Sequence, residues 1–289
     1  MTRAPALPPQ DRWLDLVGRA LAEDIGPGDV TTALTVPEHA EGLAQIEARE
    51  ALVVCGVPVA EAVFRHVDPA VRFEPRHRDG DTVEAGAVIA SLSGPLRGIF
   101  TGERTALNFL GRLCGIASCT RRFVEAVAGT ETAIVDTRKT LPGWRVLDKY
   151  AVAVGGGVNH RFGLYDGILL KDNHLAAAGG VVPAVKAALA GTPAGLRVQV
   201  EVQDEDEAEA ACEAGADFLL LDNMSPEQTE RVVQRLAGRA LLETSGGVTL
   251  ENVTAYARAG VQRISIGALT HSAPCADVAL EVVPGGVAG

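Results

Sequence analysis

From about residue 130 onward the chain repeats one pattern six times: a short apolar run, a polar or glycine residue that closes it, then a stretch of helical periodicity. The apolar runs are TAIVDT, YDGILLKD, LRVQVEV, ADFLLLDN, ALLETSGG and VQRISIGA. Between them lie the helix-like stretches VVPAVKAALA, DEDEAEAACEAGA, SPEQTERVVQRLAG and TLENVTAYARAG. Strand alternating with helix implies parallel βαβ units, because the crossover must carry the chain back to the start of the next strand. Repetition on this scale favours an α/β barrel over a doubly wound sheet. No GxGxxG follows the first strand, which argues against a dinucleotide fold.

The part before residue 113 has another texture. DRWLDLVGRALAEDIGPGD sets Trp13, Leu14, Leu16, Val17 and Leu21 at helical spacing and stops at Gly26. From about 42 to 100, short β-like pieces (AQIEARE, ALVVCGV, VRFEPRH, AVIASLSG) are divided by turn signals such as Asp79 and Gly80. TGERTALNFLGRLCGIASCTRRFVEAVAG then predicts a long helix, with Thr101 as its cap. The expected class is α/β: residues 1–113 form an N-terminal α+β unit with a mainly antiparallel sheet, and 114–274 form the barrel. Residues 275–289 are expected to pack back on the first domain.

The chemistry-bearing residues fall where a barrel would use them. The strand-like runs finish at Arg138 and Lys139, then Lys171, Glu201, Asp222, the Ser245–Gly247 turn, and Gly267. In a barrel the carboxyl ends of the strands face one mouth, so these residues would share it. Ser245, Gly246, Gly247 and Gly267 suit phosphate bound on backbone N–H groups, and equally suit tight strand–helix turns. Glu201 and Asp222 could pair with Lys139 or Lys171, bind Mg²⁺, or oppose a developing cation. Lys171 could form a Schiff base, as aldolases do, or simply attract an anion. His160 could act as a base, yet Arg161 beside it favours anion binding. His271, Asn173 and His174 are weaker candidates.

Composition sets the outer bounds. A net charge of −11 argues against general nucleic-acid binding and makes clustered cations stand out as a site for a small anion. Five cysteines with no CxxC spacing suit reduced thiols in a cytoplasmic protein. No apolar run approaches the roughly 18 residues that would span a membrane.

Taken together, EDIGPGDVTT, GERTALNFLGRLCGIA, DTRKTLPGWRVLDKYAVAVGGGVNHRFGLYDGILLKDNH, VEV and LLLDNMSPE closely resemble the quinolinate phosphoribosyltransferase family, over residues 13 to 275. The resemblance implies a type II phosphoribosyltransferase fold: an N-terminal α/β sandwich and an incomplete α/β barrel, assembled as a homodimer or a multiple of dimers. The implied reaction joins quinolinate to phosphoribosyl pyrophosphate with Mg²⁺ and loss of CO₂, giving nicotinate mononucleotide for NAD synthesis. By resemblance, Arg104, Arg138, His160 and Arg161 hold quinolinate, with Arg104 reaching from a neighbouring subunit. Lys139 and Lys171 lie between the two substrates. Glu201 and Asp222 face the ribose and its Mg²⁺, and Ser245, Gly246, Gly247, Gly267 and His271 belong to phosphate-binding turns. Two other readings remain: a Schiff-base aldolase built on Lys171, and a related phosphoribosyltransferase associated with molybdenum transport.

Overall fold

Each strand-like run of the second half of the sequence is a strand. In the computed structural model, which describes residues 5–283, twelve strands follow one another. The first five are β1 Glu41–Ala48, β2 Leu52–Val53, β3 Arg72–Pro75, β4 Thr82–Val83 and β5 Val88–Pro95. The repeating part supplies β6 Ala133–Val135, β7 Ile168–Leu170, β8 Val198–Val202, β9 Phe218–Asp222, β10 Leu241–Ser245 and β11 Arg263–Ser265, and β12 Val278–Val282 comes last. The described residues divide into two compact units, one of residues 5–121, 140–156 and 269–283, the other of 122–139 and 157–268.

In the first unit an antiparallel sheet runs in the order β12-β1-β5-β3, with β2 and β4 paired separately. The helix Leu14–Ile25 buries Val17 and Leu21 and ends at Gly26, whose positive φ of 52° suits glycine. The C-terminal segment returns to this unit: β12 pairs with β1, Ile46 opposite Leu280. Residues 284–289, also expected to pack here, lie outside the described residues.

One sequence expectation needs correction here. The long helix spans Leu96–Ala126, so Thr101 is no cap; it lies in the second turn and its hydroxyl donates to Asp29 Oδ2 at 3.1 Å. Pro95 ends β5 and hands directly to the helix, since it lacks an N–H and its φ is already near helical. This helix runs past residue 113, and residues 140–156 pack against it within the first unit. Arg112 forks Asp148 at 2.9 and 2.7 Å, Arg121 Nε donates to Gly155 O at 3.0 Å, and Trp144 stacks on Phe109 with centroids 4.7 Å apart.

The second unit holds the parallel sheet, in the order β6-β11-β10-β9-β8-β7. Its terminal strands β6 and β7 are not paired with each other, so the barrel is incomplete. Strand interiors carry apolar side chains with almost no exposure, among them Val200, Leu219, Leu221 and Ile264. The crossover helices begin with sequence-encoded caps: Asp204 accepts from the N–H of Asp206 and Glu207, and Ser225 accepts from that of Gln228. Among the described residues no helix is long and apolar enough to cross a membrane.

The long helix offers a test of packing against propensity. Gly115 faces the chain returning at Pro274, where an added Cβ would lie 1.9 Å from the Pro274 oxygen. In an exposed helix, Gly→Ala would gain about 1 kcal/mol; here overpacking against main chain costs about 1–3 kcal/mol. Gly115→Ala should therefore lower the melting temperature, with activity retained in whatever remains folded. A raised melting temperature would mean that the close approach does not constrain this helix.

Candidate active site

Asp136 follows β6 and is wholly buried. Its carboxylate accepts the His160 main-chain N–H and the Asn159 Nδ2, each at 2.7 Å. The same segment is bridged to β6 in parallel fashion, Val158 N donating to Ile134 O at 2.8 Å and Asp136 N to Val158 O at 3.1 Å. These bonds lay the Arg138–Lys139 segment beside the His160–Arg161 segment, although the helix Arg145–Val154 separates them in sequence.

Like charge is concentrated as a result. Arg138 and Arg161 are both partly buried. Burial, and then the nearby Arg138 charge, pull the Arg161 pKa below its ordinary value, with Asp166 opposing them. Arg161 Nη1 donates to Gly167 O at 2.9 Å, while its Nε is buried without a hydrogen-bond partner. Asp166 closes the intervening loop by accepting from the N–H of Phe162 and Gly163 at 2.6 and 2.8 Å. Lys139 is exposed, its N–H bonded to Thr137 Oγ1 at 3.0 Å. Two guanidinium groups held against their mutual repulsion are suited to an anion with more than one negative group.

At the neighbouring ends of β7 and β8, Lys171 Nζ lies 3.2 Å from Glu201 Oε2, the Lys171 side chain half exposed and Glu201 nearly buried. A Schiff-base lysine is instead desolvated or set beside another cation, so this pairing does not prepare Lys171 for that chemistry. His174 has a local role, its Nδ1 accepting the Lys171 N–H at 2.9 Å as the next helix starts. Asn173 is exposed on that helix.

Asp222 ends β9 half-exposed, and its Oδ2 accepts from Asn223 Nδ2 at 2.8 Å. The register places Asp222 opposite Ser245 of β10. Asn223, at a positive φ of 54°, donates its N–H to Ser245 O at 2.8 Å. Gly246 is required by this contact: its φ is +97° and a Cβ would meet Asn223 Oδ1 at 2.1 Å. Gly247 also has positive φ, but a Cβ there would meet nothing within 4 Å. Gly267 links β11 to the short helix Ala268–His271. Arg104 and His271 belong to the first unit and are both exposed, with His271 Nδ1 2.6 Å from Ser272 Oγ.

Two polar residues that sequence reasoning passed over sit deeper in the second unit. Gln199 of β8 approaches His160 Nε2 through Oε1 at 2.8 Å. Glu243 of β10, wholly buried, has Oε1 3.5 Å from the same nitrogen and Oε2 3.0 Å from Arg263 Nε. Burial pushes the Glu243 pKa up; Arg263, Ser265 and Gln199 pull it back, and Asp136 adds to the rise. The available signal was period two: Gln199 and Glu201 alternate with valines, and Glu243 precedes Ser245 by two, so each points to the same side as a strand-end candidate.

An incomplete α/β barrel with paired guanidiniums, an ammonium–carboxylate pair and a second carboxylate along its strand ends defines a class of barrel equipped for anionic substrates. Its membership is specific. The family model for the quinolinate phosphoribosyl transferase N-terminal domain matches residues 29–114, and that for the C-terminal domain matches 116–281. The nicotinate-nucleotide pyrophosphorylase [carboxylating] of Mycobacterium leprae is 44% identical over 94% of this chain and 98% of its own. The probable enzyme of that name from Bacillus subtilis is 40% identical, covering 92% of each chain. The solved structure of the nicotinate-nucleotide pyrophosphorylase from Francisella tularensis superposes with a TM-score of 0.91 at 38% identity, over 98% of this chain and 100% of that one. The chain belongs to the quinolinate phosphoribosyl transferase family.

The buried Glu243 predicts a pH signature in stability. A carboxyl whose pKa is raised on folding contributes stability below its unfolded value of about 4.3, and that contribution is lost as pH rises through the folded value. Glu243→Gln removes this slope, and the penalty of leaving Arg263 without its carboxylate does not change with pH. The melting temperature of the variant relative to the native protein should thus climb as pH rises above the unfolded value of about 4.3. A difference that stays flat above that value would contradict a destabilised carboxylate.

Proposed function

We propose that this chain transfers phosphoribosyl from phosphoribosyl pyrophosphate to quinolinate with decarboxylation, giving nicotinate mononucleotide, pyrophosphate and CO₂. Family membership supplies the reaction class. The single observation that carries the substrate is the partly buried pair Arg138 and Arg161, held together by the Asp136 bonds. Quinolinate brings two adjacent carboxylates, which match two guanidiniums; a monocarboxylate would leave one charge uncompensated.

In this reading Arg138 and Arg161 anchor the carboxylates and leave the pyridine nitrogen facing C1 of the ribose. The nitrogen lone pair forms the new bond to C1 as the bond to pyrophosphate breaks. Glu201 and Asp222 oppose the positive charge that develops on the sugar, and Lys139 and Lys171 oppose the negative charge of substrate and leaving group. The quaternised ring then accepts the electron pair released as the 2-carboxylate leaves as CO₂, and C2 takes a proton. The chain's work is positioning and electrostatics, without a covalent intermediate.

Among the described residues no group of three or more His, Cys, Asp or Glu is placed to hold a metal ion. Two carboxylates at neighbouring strand ends nevertheless fit Mg²⁺, which keeps waters and binds through one or two carboxylates plus substrate phosphates. Glu201 and Asp222 would hold it. When bound, it would neutralise the departing pyrophosphate. The Gly246 and Gly247 turn and Gly267 are candidates for the sugar phosphate, with Ser245 and His271. The free cysteines among the described residues suit a reducing, cytoplasmic setting.

The direct test is CO₂ release by the purified protein. Release should require quinolinate, phosphoribosyl pyrophosphate and Mg²⁺ together, and nicotinate should substitute poorly. Release without phosphoribosyl pyrophosphate, or equal turnover of nicotinate, would refute this function. Glu201→Ala and Asp222→Ala should remain folded, with turnover reduced about 10²–10³-fold. Near-native turnover in either would remove that carboxylate from the mechanism.

The assembly proposed with this reaction is a homodimer in which Arg104 serves the neighbouring site. Its exposure on the helix Leu96–Ala126 supports the reading, since it leaves the guanidinium accessible, with Glu103 its nearest charged neighbour in sequence. Arg104→Ala and Lys139→Ala subunits, each nearly inactive, should regain activity when mixed under exchange, because one site of a mixed dimer carries neither defect. Proven exchange without recovery would assign Arg104 to its own subunit.

A further inference from the structure

We propose that His160 is a positioning residue rather than an anion ligand: Gln199 holds its ring as the neutral tautomer protonated on Nε2, and its Nδ1 lone pair fixes the main chain at Arg161. The inference rests on the phosphoribosyl-transfer reading only for what Arg161 binds. The tautomer follows from geometry.

The Arg161 main-chain N–H points at His160 Nδ1 over 2.8 Å. A backbone amide can only donate, so Nδ1 must accept and carries no proton. The ring proton is then on Nε2, where Gln199 Oε1 accepts at 2.8 Å and Glu243 Oε1 lies further off at 3.5 Å. Both ring nitrogens are therefore committed inside the protein. An imidazolium would set two N–H groups against each other at Nδ1, and would add a third cation beside Arg138 and Arg161. The Asp136 carboxylate accepts the His160 main-chain N–H, and the Glu243 carboxylate lies 3.5 Å from Nε2. Glu243 alone would favour the imidazolium, but its other oxygen is engaged by Arg263 at 3.0 Å.

Gln199 accordingly selects the tautomer while adding no charge, with the Glu243 carboxylate 3.5 Å from the same nitrogen. The main chain is fixed at both ends of this short segment: Asp136 holds the His160 N–H, and His160 Nδ1 holds the Arg161 N–H. With Gly167 O retaining Nη1, the guanidinium of Arg161 is aimed before any substrate arrives. Such preorganisation lowers the ordering cost of binding.

The test joins spectroscopy with kinetics on the full chain. Nitrogen NMR of ¹⁵N-histidine-labelled protein, with the signal assigned through His160→Asn, should give a neutral His160 with the proton on Nε2, unchanged when quinolinate is added. Gln199→Ala should raise the KM for quinolinate about tenfold and leave the KM for phosphoribosyl pyrophosphate unchanged, the loss of one well-placed hydrogen bond. The Asn oxygen can replace the Nδ1 acceptor, and the Gln amide can replace only the Nε2 donor, so His160→Asn should retain more activity than His160→Gln. An imidazolium signal, a tautomer change on adding quinolinate, or a more active His160→Gln would each overturn the proposal. If native protein turns over no quinolinate, the functional reading fails, and the spectrum of the free protein still decides the tautomer.

Discussion

The buried carboxylate of Asp136 is the constraint on which the site depends. By itself a parallel strand such as β6 delivers only Arg138 and Lys139 to the strand ends. Asp136 recruits a second segment by accepting from His160 N–H and Asn159 Nδ2, while Val158 bridges to β6 through main-chain bonds. Without that tie, Arg161 would travel on a loop with no reason to approach Arg138. A charged acceptor suits this task better than a neutral one. Charge-assisted bonds are roughly twice as strong as neutral ones, and the cluster they assemble is cationic.

The cost of holding cations together is met by carboxylates arranged in depth. At the surface, Lys171 takes Glu201 as a partner. Beneath, Arg263 takes Glu243, which is wholly buried. The pKa of Arg161 is depressed by burial and by Arg138, while Asp166, which opposes that shift, also accepts from the main chain of its own loop.

Much of this was legible in the sequence, for local reasons. The six parallel strands read correctly because each is a short apolar run flanked by a helix-period stretch, and the parallel arrangement then puts their polar terminal residues along one edge. The helix stop at Gly26 was legible because it depends on one residue's own chemistry. Three features were not, because they depend on distant partners. The Val158 bridge needs β6 beside it, the start of the long helix at Leu96 depends on where β5 ends, and the allegiance of residues 140–156 depends on Arg112 and Arg121. Gln199 and Glu243 stood visible among apolar neighbours, but the chain gives no local sign that both converge on His160.

That convergence explains why a carboxylate remains buried where a neutral side chain would be less costly. Removing one member of a buried ion pair strands the other, so Glu243 and Arg263 constrain each other once both are present. Replacing the pair with apolar residues could stabilise the sheet, as it often does elsewhere. It would also remove the carboxylate that lies 3.5 Å from His160 Nε2. An imidazole held at both nitrogens, by Gln199 and by the Arg161 N–H, keeps fixed the main chain on which Arg161 is aimed.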